Sequence, residues 1–273
     1  MSGGGGQRAM MACVPYSIAP GVRAGNRSAH RSQFMQLRSS LFMRAPARGA
    51  ARFDARGSGA VEPDVTPDLS ELARTLDESM LPADPMDLFD AWLGDVVRAG
   101  LPEPTAMVLS TVSADLRPRA RFVLLKASDR SGFTFYTNRT SRKASDLAEV
   151  PQACLVFPWF AIHRQLIVEG PVAPLTTAES EPYFHSRPRG SQLGAWASRQ
   201  STVLSSRAEL EDRYAELERR WPEGTDVPMP EFWGGYLLRP ERMEFWQGQP
   251  SRLHDRFRYS REGSSWAVSR LAP

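Results

Sequence analysis

Between residues 105 and 173 the chain is cut into short apolar runs: 105–113 (TAMVLSTVS), 119–127 (RARFVLLKA), 132–138 (GFTFYTN), 152–159 (QACLVFPW) and 163–173 (HRQLIVEGPVA). Each is rich in β-branched and aromatic residues and is bounded by turn formers such as Ser113-Ala114-Asp115 and the stretch 128–132, which is how strands read. Parallel neighbours need crossovers of a dozen or more residues, and most of these connections are too short. The runs therefore predict an antiparallel barrel. Further strands near 234–239, 242–247, 253–260 and 265–270 complete it. The absence of a G-x-G-x-x-G element argues against a Rossmann nucleotide site.

Helices flank this core. A short helical pattern at 68–80 (Leu69, Leu72, Leu76) precedes Asp84, which caps a better helix with Pro85 at its first position. That helix carries Leu88, Phe89, Trp92, Leu93, Val96 and Val97 as an apolar stripe and ends at Gly100. Two helices interrupt before the last strands. One is capped by Thr176 with Glu179 and stops before Pro188; the other begins near Ser206, with Glu209 completing a capping box and Leu210, Tyr214, Leu217 and Trp221 on one face.

At 273 residues the chain can bury a sizeable core as one large or two small domains. No apolar run approaches the ~20 residues that span a bilayer. Two cysteines, Cys13 and Cys154, form no disulfide framework and fit a reducing compartment. The net charge of +3 is unevenly spread: residues 1–57 hold nine Arg and one acid, a net +8, which leaves −5 for the rest. A mildly acidic body gives no footing for nucleic acid. Residues 1–65 show no sustained apolar period and predict a disordered extension. Their Arg-rich, acid-poor composition fits a plastid or mitochondrial transit peptide, and fits equally an upstream extension of a cytoplasmic protein, with Met43 an internal start. The Gly3–Gly6 run lacks the Lys-Ser/Thr of a phosphate loop.

Four stretches carry chemistry. In EFWQGQPSRLHDR (244–256), alternation puts Arg252, His254 and Arg256 on one strand face, where an anionic ligand would offset their repulsion. The plain alternative is a solvated edge strand. Arg121 to Lys126 reads as a buried strand with a base at each end. Tyr136, Thr137 and Asn138 lead into Ser141, Arg142 and Lys143 at a helix start, a set suited to a phosphate or simply to a capped, solvated turn. Tyr183, Arg187 and Ser191 recur at intervals of four, with the first two on one helix face.

The runs EFWQG and RLHDR, together with R-x-V-L-L-K, YFHSRPRGSQ and the closing Arg270-Leu271-Ala272-Pro273, resemble the pyridoxamine 5'-phosphate oxidase family. The resemblance covers about residues 80–273. It weakens upstream, where Glu71–Leu76 replaces the family's Arg-x-x-Tyr element. It implies an antiparallel Greek-key split β-barrel in a single domain from about residue 66. It also implies a homodimer with FMN at the subunit interface, and oxidation of pyridoxine or pyridoxamine 5'-phosphate by O2 to pyridoxal 5'-phosphate. FMN is expected on Arg121, Phe122, Val123, Leu124, Leu125, Lys126, Tyr136, Thr137, Arg142, Lys143, Gln165, Gln200, Ser201, Trp246 and Arg256. Substrate is expected on Lys126, Tyr183, Arg187, Ser191, Arg252, Leu253 and His254, with Arg252 and His254 as the catalytic residues. No metal is expected. Two other readings stay open: a split-barrel flavin reductase or other FMN oxidoreductase with a different substrate, and a pyridoxal phosphate carrier.

Overall fold

The computed structural model describes residues 75–273. The expected 1–65 extension and the first part of the 68–80 helical pattern lie outside them; inside, that pattern gives only a 3-10 turn at Glu78–Met80.

Ten strands form one antiparallel sheet: β1 (Ala106–Val112), β2 (Pro118–Leu124), β3 (Ala127–Asp129), β4 (Gly132–Asn138), β5 (Gln152–Trp159), β6 (Arg164–Pro174), β7 (Trp233–Leu238), β8 (Arg242–Gln247), β9 (Asp255–Glu262) and β10 (Ser265–Arg270). The long path runs β10-β9-β8-β6-β5-β1-β2. Strand β6 changes partner half-way. Its residues 164–169 pair with β8 and its residues 172–174 with β7, which continues to β4 and β3. Gly170 sits where the sheet divides, and a Cβ there would lie 2.0 Å from the Arg239 carbonyl oxygen. Only glycine lets the 239–241 segment cross so close. The result is a curled, split half-barrel.

Helix α1 (Pro85–Arg98) plugs the barrel. The Asp84 carboxylate accepts from the Met86 N–H, Pro85 occupies the first turn, and Gly100 at φ +63 follows the C-cap. Phe89 packs edge-on to Phe133 at 4.9 Å and Trp92 to Phe245 at 5.1 Å. Val97, expected in the stripe, turns outward.

Four further helices are α2 (Arg142–Glu149), α3 (Thr177–Ser186), α4 (Arg189–Ala197) and α5 (Arg207–Arg220). The Thr176–Glu179 capping box closes as expected. The second does not: the Ser206 hydroxyl accepts from the Glu209 N–H, but the Glu209 carboxylate turns to the Ser205 N–H instead.

Three expectations need correction. The run 119–127 is two strands, because Leu125 dives fully into the core and the chain then leaves β1 to pair with β4. Its first half is not buried: β2 is the sheet edge, and Phe122 is 72 % exposed. Strand β9 begins only at Asp255, so Arg252, His254 and Arg256 do not alternate on one strand. Arg252 instead ends a 3-10 turn, with Ser251 at φ 56 and Arg252 at φ 62.

Candidate functional site

A cavity of about 860 Å³ opens between β2, β4 and α2–α4. It gathers Arg121, Phe122, Val123, Leu124, Lys126, Tyr136, Thr137, Arg142, Lys143, Tyr183, Arg187, Ser191, Gln200 and Ser201. These are all expected site residues, drawn from five separate stretches.

One end is built on α2. Ser141 makes no side-chain cap, and with the Ala144 N–H on the Ser141 carbonyl the helix start leaves the Lys143 N–H for a ligand. The Lys143 ammonium, buried, donates to Gln200 Oε1 at 2.6 Å, Thr137 Oγ1 at 3.1 Å and Ser141 Oγ at 3.3 Å. All three partners are neutral. Burial first, and then the neighbouring Arg121 guanidinium, bring its pKa down to about 8. The Arg142 N–H donates to Ser201 Oγ at 3.3 Å, which ties the 198–202 loop onto the same helix start. This donor set fits a phosphate: cations, hydroxyls and helix N–H groups with no carboxylate among them.

The other end is an aromatic shelf. Tyr136 stacks on Tyr183 at 4.2 Å and on Trp233 at 5.3 Å. Opposite Tyr136 in the register stands Gly235, where a Cβ would come within 2.9 Å of the ring. Arg187 is the C-cap of α3 rather than a member of its face, and Ser191 lies in the first turn of α4. The Arg187 guanidinium lies 4.9 Å over Trp233, and its Nη1 is buried with no hydrogen-bond partner. Lys126 Nζ is 6.0 Å from the Tyr183 ring centre. Burial lowers the pKa of both cations and raises those of both tyrosines, Tyr136 to about 12, so the phenols keep their protons. A guanidinium with one buried, unpartnered nitrogen beside a lysine and phenolic donors is suited to an anion.

The remaining expected residues do not line this cavity. Leu125 is core. Gln165, Trp246 and Arg256 stand in one cross-strand row, Gln165 opposite Trp246 and Trp246 opposite Arg256. Register places this row on the same face as Ile167, Val156, Val108 and Phe122, the outer face of the sheet. Arg256 is held by Glu244 at 2.8 and 2.9 Å and by the Ala272 carbonyl at 2.7 Å. The His254 ring tilts against Trp246 at 4.6 Å. Its Nδ1 accepts from the Gln249 N–H at 3.0 Å, which leaves the proton of the neutral ring on Nε2. Leu253 and Arg252 are exposed beside it.

Sequence reasoning missed Trp233, Gly194, Ala195 and Ser198, which also line the cavity. The Gly234-Gly235 pair beside Trp233 was the available signal, because missing side chains in a strand mark a close approach.

A curled antiparallel half-barrel of this kind is the architecture of the FMN-binding split-barrel proteins. Residues 93–220 match the family model for pyridoxamine 5'-phosphate oxidase, and residues 233–273 match that for the pyridoxine 5'-phosphate oxidase C-terminal dimerisation region. The chain belongs to the pyridoxamine 5'-phosphate oxidase family. It is 55 % identical over 199 residues to the pyridoxine/pyridoxamine 5'-phosphate oxidase of Salinispora arenicola, covering 72 % of this chain and 90 % of that one. The Enterobacter sp. protein of the same name is 50 % identical over 193 residues, covering 71 % and 88 %. Among solved structures, PhzG from Burkholderia lata, in complex with tetrahydrophenazine-1-carboxylic acid, superposes with a TM-score of 0.68 at 33 % identity, over 71 % of this chain and 95 % of that one. A pyridoxamine 5'-phosphate oxidase-related, FMN binding protein from Nostoc punctiforme shares the fold at a TM-score of 0.56 and 17 % identity, over 70 % and 98 %.

Proposed function

We propose that this chain is a pyridoxine/pyridoxamine 5'-phosphate oxidase acting as an FMN-containing homodimer. Pyridoxine 5'-phosphate and O2 give pyridoxal 5'-phosphate and H2O2; the amine, with one water more, also releases NH3. The observation that carries the reading is the pair of anion sites in one cavity, one at the start of α2 and one around Arg187, matching one phosphate of a flavin and one of a substrate. A flavin reductase needs only the first.

FMN, when bound, supplies the two-electron acceptor that O2 reoxidises. Arg121, Arg142 and Lys143, the last with its backbone N–H, would hold its phosphate end, with Thr137, Gln200 and Ser201 closing over it. Phe122, Val123 and Leu124 would line its ring. The outer sheet face carries the apolar edge of β2 at one side and the Gln165–Trp246–Arg256 row at the other, which supports a dimer whose row completes the partner's cavity. Lys126, Arg187, Tyr183 and Ser191 would clamp the substrate phosphate. Arg252, Leu253 and His254 would then close over the pyridine ring, with His254 donating from Nε2–H. Arg252 projects from two successive left-handed residues, a strained presentation that recurs at functional sites. Neither residue needs to take up a proton for the substrate carbon to be oxidised.

The same reading assigns residues from about 66 onward to one domain, and the unpaired Cys154 fits a cytoplasmic setting. Among the described residues no helix is long and apolar enough to cross a membrane.

The test is to purify the full chain, record its visible spectrum, then add pyridoxine 5'-phosphate in air while following aldehyde and oxygen. A flavin spectrum with matching aldehyde formation and oxygen uptake is expected. Yellow protein without turnover would move the assignment to another FMN oxidoreductase, and colourless folded protein that binds pyridoxal phosphate would make it a carrier.

A further inference from the structure

Asp146 belongs to none of the expected site residues, yet its carboxylate is almost fully buried, at 2 % exposure, in the second turn of α2. Its Oδ2 accepts from Thr111 Oγ1 at 2.7 Å, and its Oδ1 pairs with Arg119. Thr111, itself 1 % exposed, has therefore spent its only proton on Asp146 and turns its lone pairs to Arg121, whose Nη1 donates to Thr111 Oγ1 at 2.8 Å and to the Leu109 carbonyl at 3.0 Å. Arg121 Nη2 stands 3.7 Å from Asp146 Oδ2. The result is a polarised relay from α2 through β1 to β2. It clamps one cation of the cavity to the helix that carries Arg142 and Lys143.

We propose that Asp146, acting through Thr111, is a positioning residue of the flavin site: it fixes the Arg121 guanidinium in register with the start of α2. This rests on the reading of Arg121 as an FMN ligand. Two physical effects of Asp146 oppose each other. As a bare negative charge beside an anion site it repels the ligand, so its removal should tighten binding. As the anchor of Arg121 it prepays the ordering of a flexible cation, so its removal should weaken binding. The sign of the effect decides between them. Asn at 146 keeps the shape, but in either amide orientation it sets an N–H against Thr111 or Arg119.

The experiment is an FMN titration of the full-length apoprotein followed by quenching of flavin fluorescence, with a melting curve for each variant. Arg121→Met and Asp146→Asn are each expected to weaken FMN by roughly 10–100-fold, the range for losing a hydrogen bond to a charged group. The double variant should be no weaker than Arg121→Met alone. Thr111→Val, which changes no charge, should shift affinity in the same direction by several-fold, and Thr111→Ser should restore it. Tighter or unchanged binding in Asp146→Asn and Thr111→Val, or full additivity with Arg121→Met, would overturn the positioning role. Unchanged affinity in Arg121→Met would instead sink the assignment of Arg121 to the flavin. If Asp146→Asn fails to fold, the Thr111 pair alone decides, since both of its variants leave the ion pair to Arg119 in place.

Discussion

The cavity and the C-terminal row handle positive charge in opposite ways. In the row, Arg256 is neutralised by Glu244, and the neighbouring Arg270 is shared between Glu78 and Asp255. In the cavity, among the described residues, only Arg121 has a carboxylate within ion-pair distance, Asp146 at 3.7 Å; Lys126, Arg142, Lys143 and Arg187 have none, and Arg187 keeps a buried nitrogen without any partner. Burying cations unpaired is costly unless a ligand completes them. On the proposed reading the cavity therefore takes the phosphate charge, and the row supplies stacking surface, an imidazole donor and shape. That division separates binding from recognition, and each side can be broken on its own.

The largest effect is expected from Arg187→Ala. It removes about two charge-assisted hydrogen bonds of ~2 kcal/mol each, or about 10³-fold in kcat/KM. The flavin spectrum should survive, because Arg187 belongs to the end of the cavity away from α2. Loss of flavin in this variant would merge the two anion sites into one. Arg252→Ala comes next, with a fall of about 10²-fold in substrate use, about two orders for a ~3 kcal/mol contact to a charged group. It too should purify yellow, and a colourless preparation would mean that the 244–256 stretch serves the flavin rather than the substrate.

How far these two regions could be read in the sequence differs for a physical reason. Strand positions were legible because alternation and turn residues are local, and the five runs between 105 and 173 all fall on strands. The cavity's residues were named from motifs, and the fold brings most of them together. What failed was anything settled by a distant neighbour. Residues 119–127 look continuous, but Leu125 is claimed by the core and the chain changes partners there. Helix α4, with Gly190 and Gly194, has little propensity of its own; Leu193 and Ala197 bury it against the rest. The R-x-H-x-R alternation fails because Ser251 and Arg252 take left-handed backbone, which no period predicts. Asp146 was invisible because its partners, Thr111 and Arg119, come from strands some 30 residues away.

A smaller effect follows from Lys143. Its pKa of about 8 lies below its ordinary 10.5 because burial and Arg121 disfavour the charged form. At pH 7 the ligand-free protein carries the cation for the most part, and it loses it progressively as the pH rises through about 8. Phosphate binding requires the charge, so FMN affinity should fall by up to about tenfold per pH unit above 8, until the pKa of the bound state is passed. Fluorescence titrations from pH 7 to 10 test this, and Lys143→Met should flatten the profile. A flat profile in the unmodified chain would remove Lys143 from the phosphate site. The row, whose arginine is already paired, should contribute no such slope.

The smallest effect is expected from deleting residues 1–65, and it concerns charge rather than contact. The deletion removes nine Arg and three acids and changes the net charge from +3 to −3. Every residue assigned to the cavity or the row lies at or beyond 121, and the family match begins at residue 93, so kcat should not move. What can move is capture: a net positive chain draws in dianionic ligands from a distance, and a net negative one does not. At low ionic strength the shortened chain should therefore show a KM for the substrate phosphate raised by about twofold. At ~0.15 M salt, where screening acts within ~8 Å, the difference should vanish. A salt-independent rise in KM, or any loss of kcat, would show that the N-terminal segment touches the site, and the separation of cavity from row would then need a third contributor.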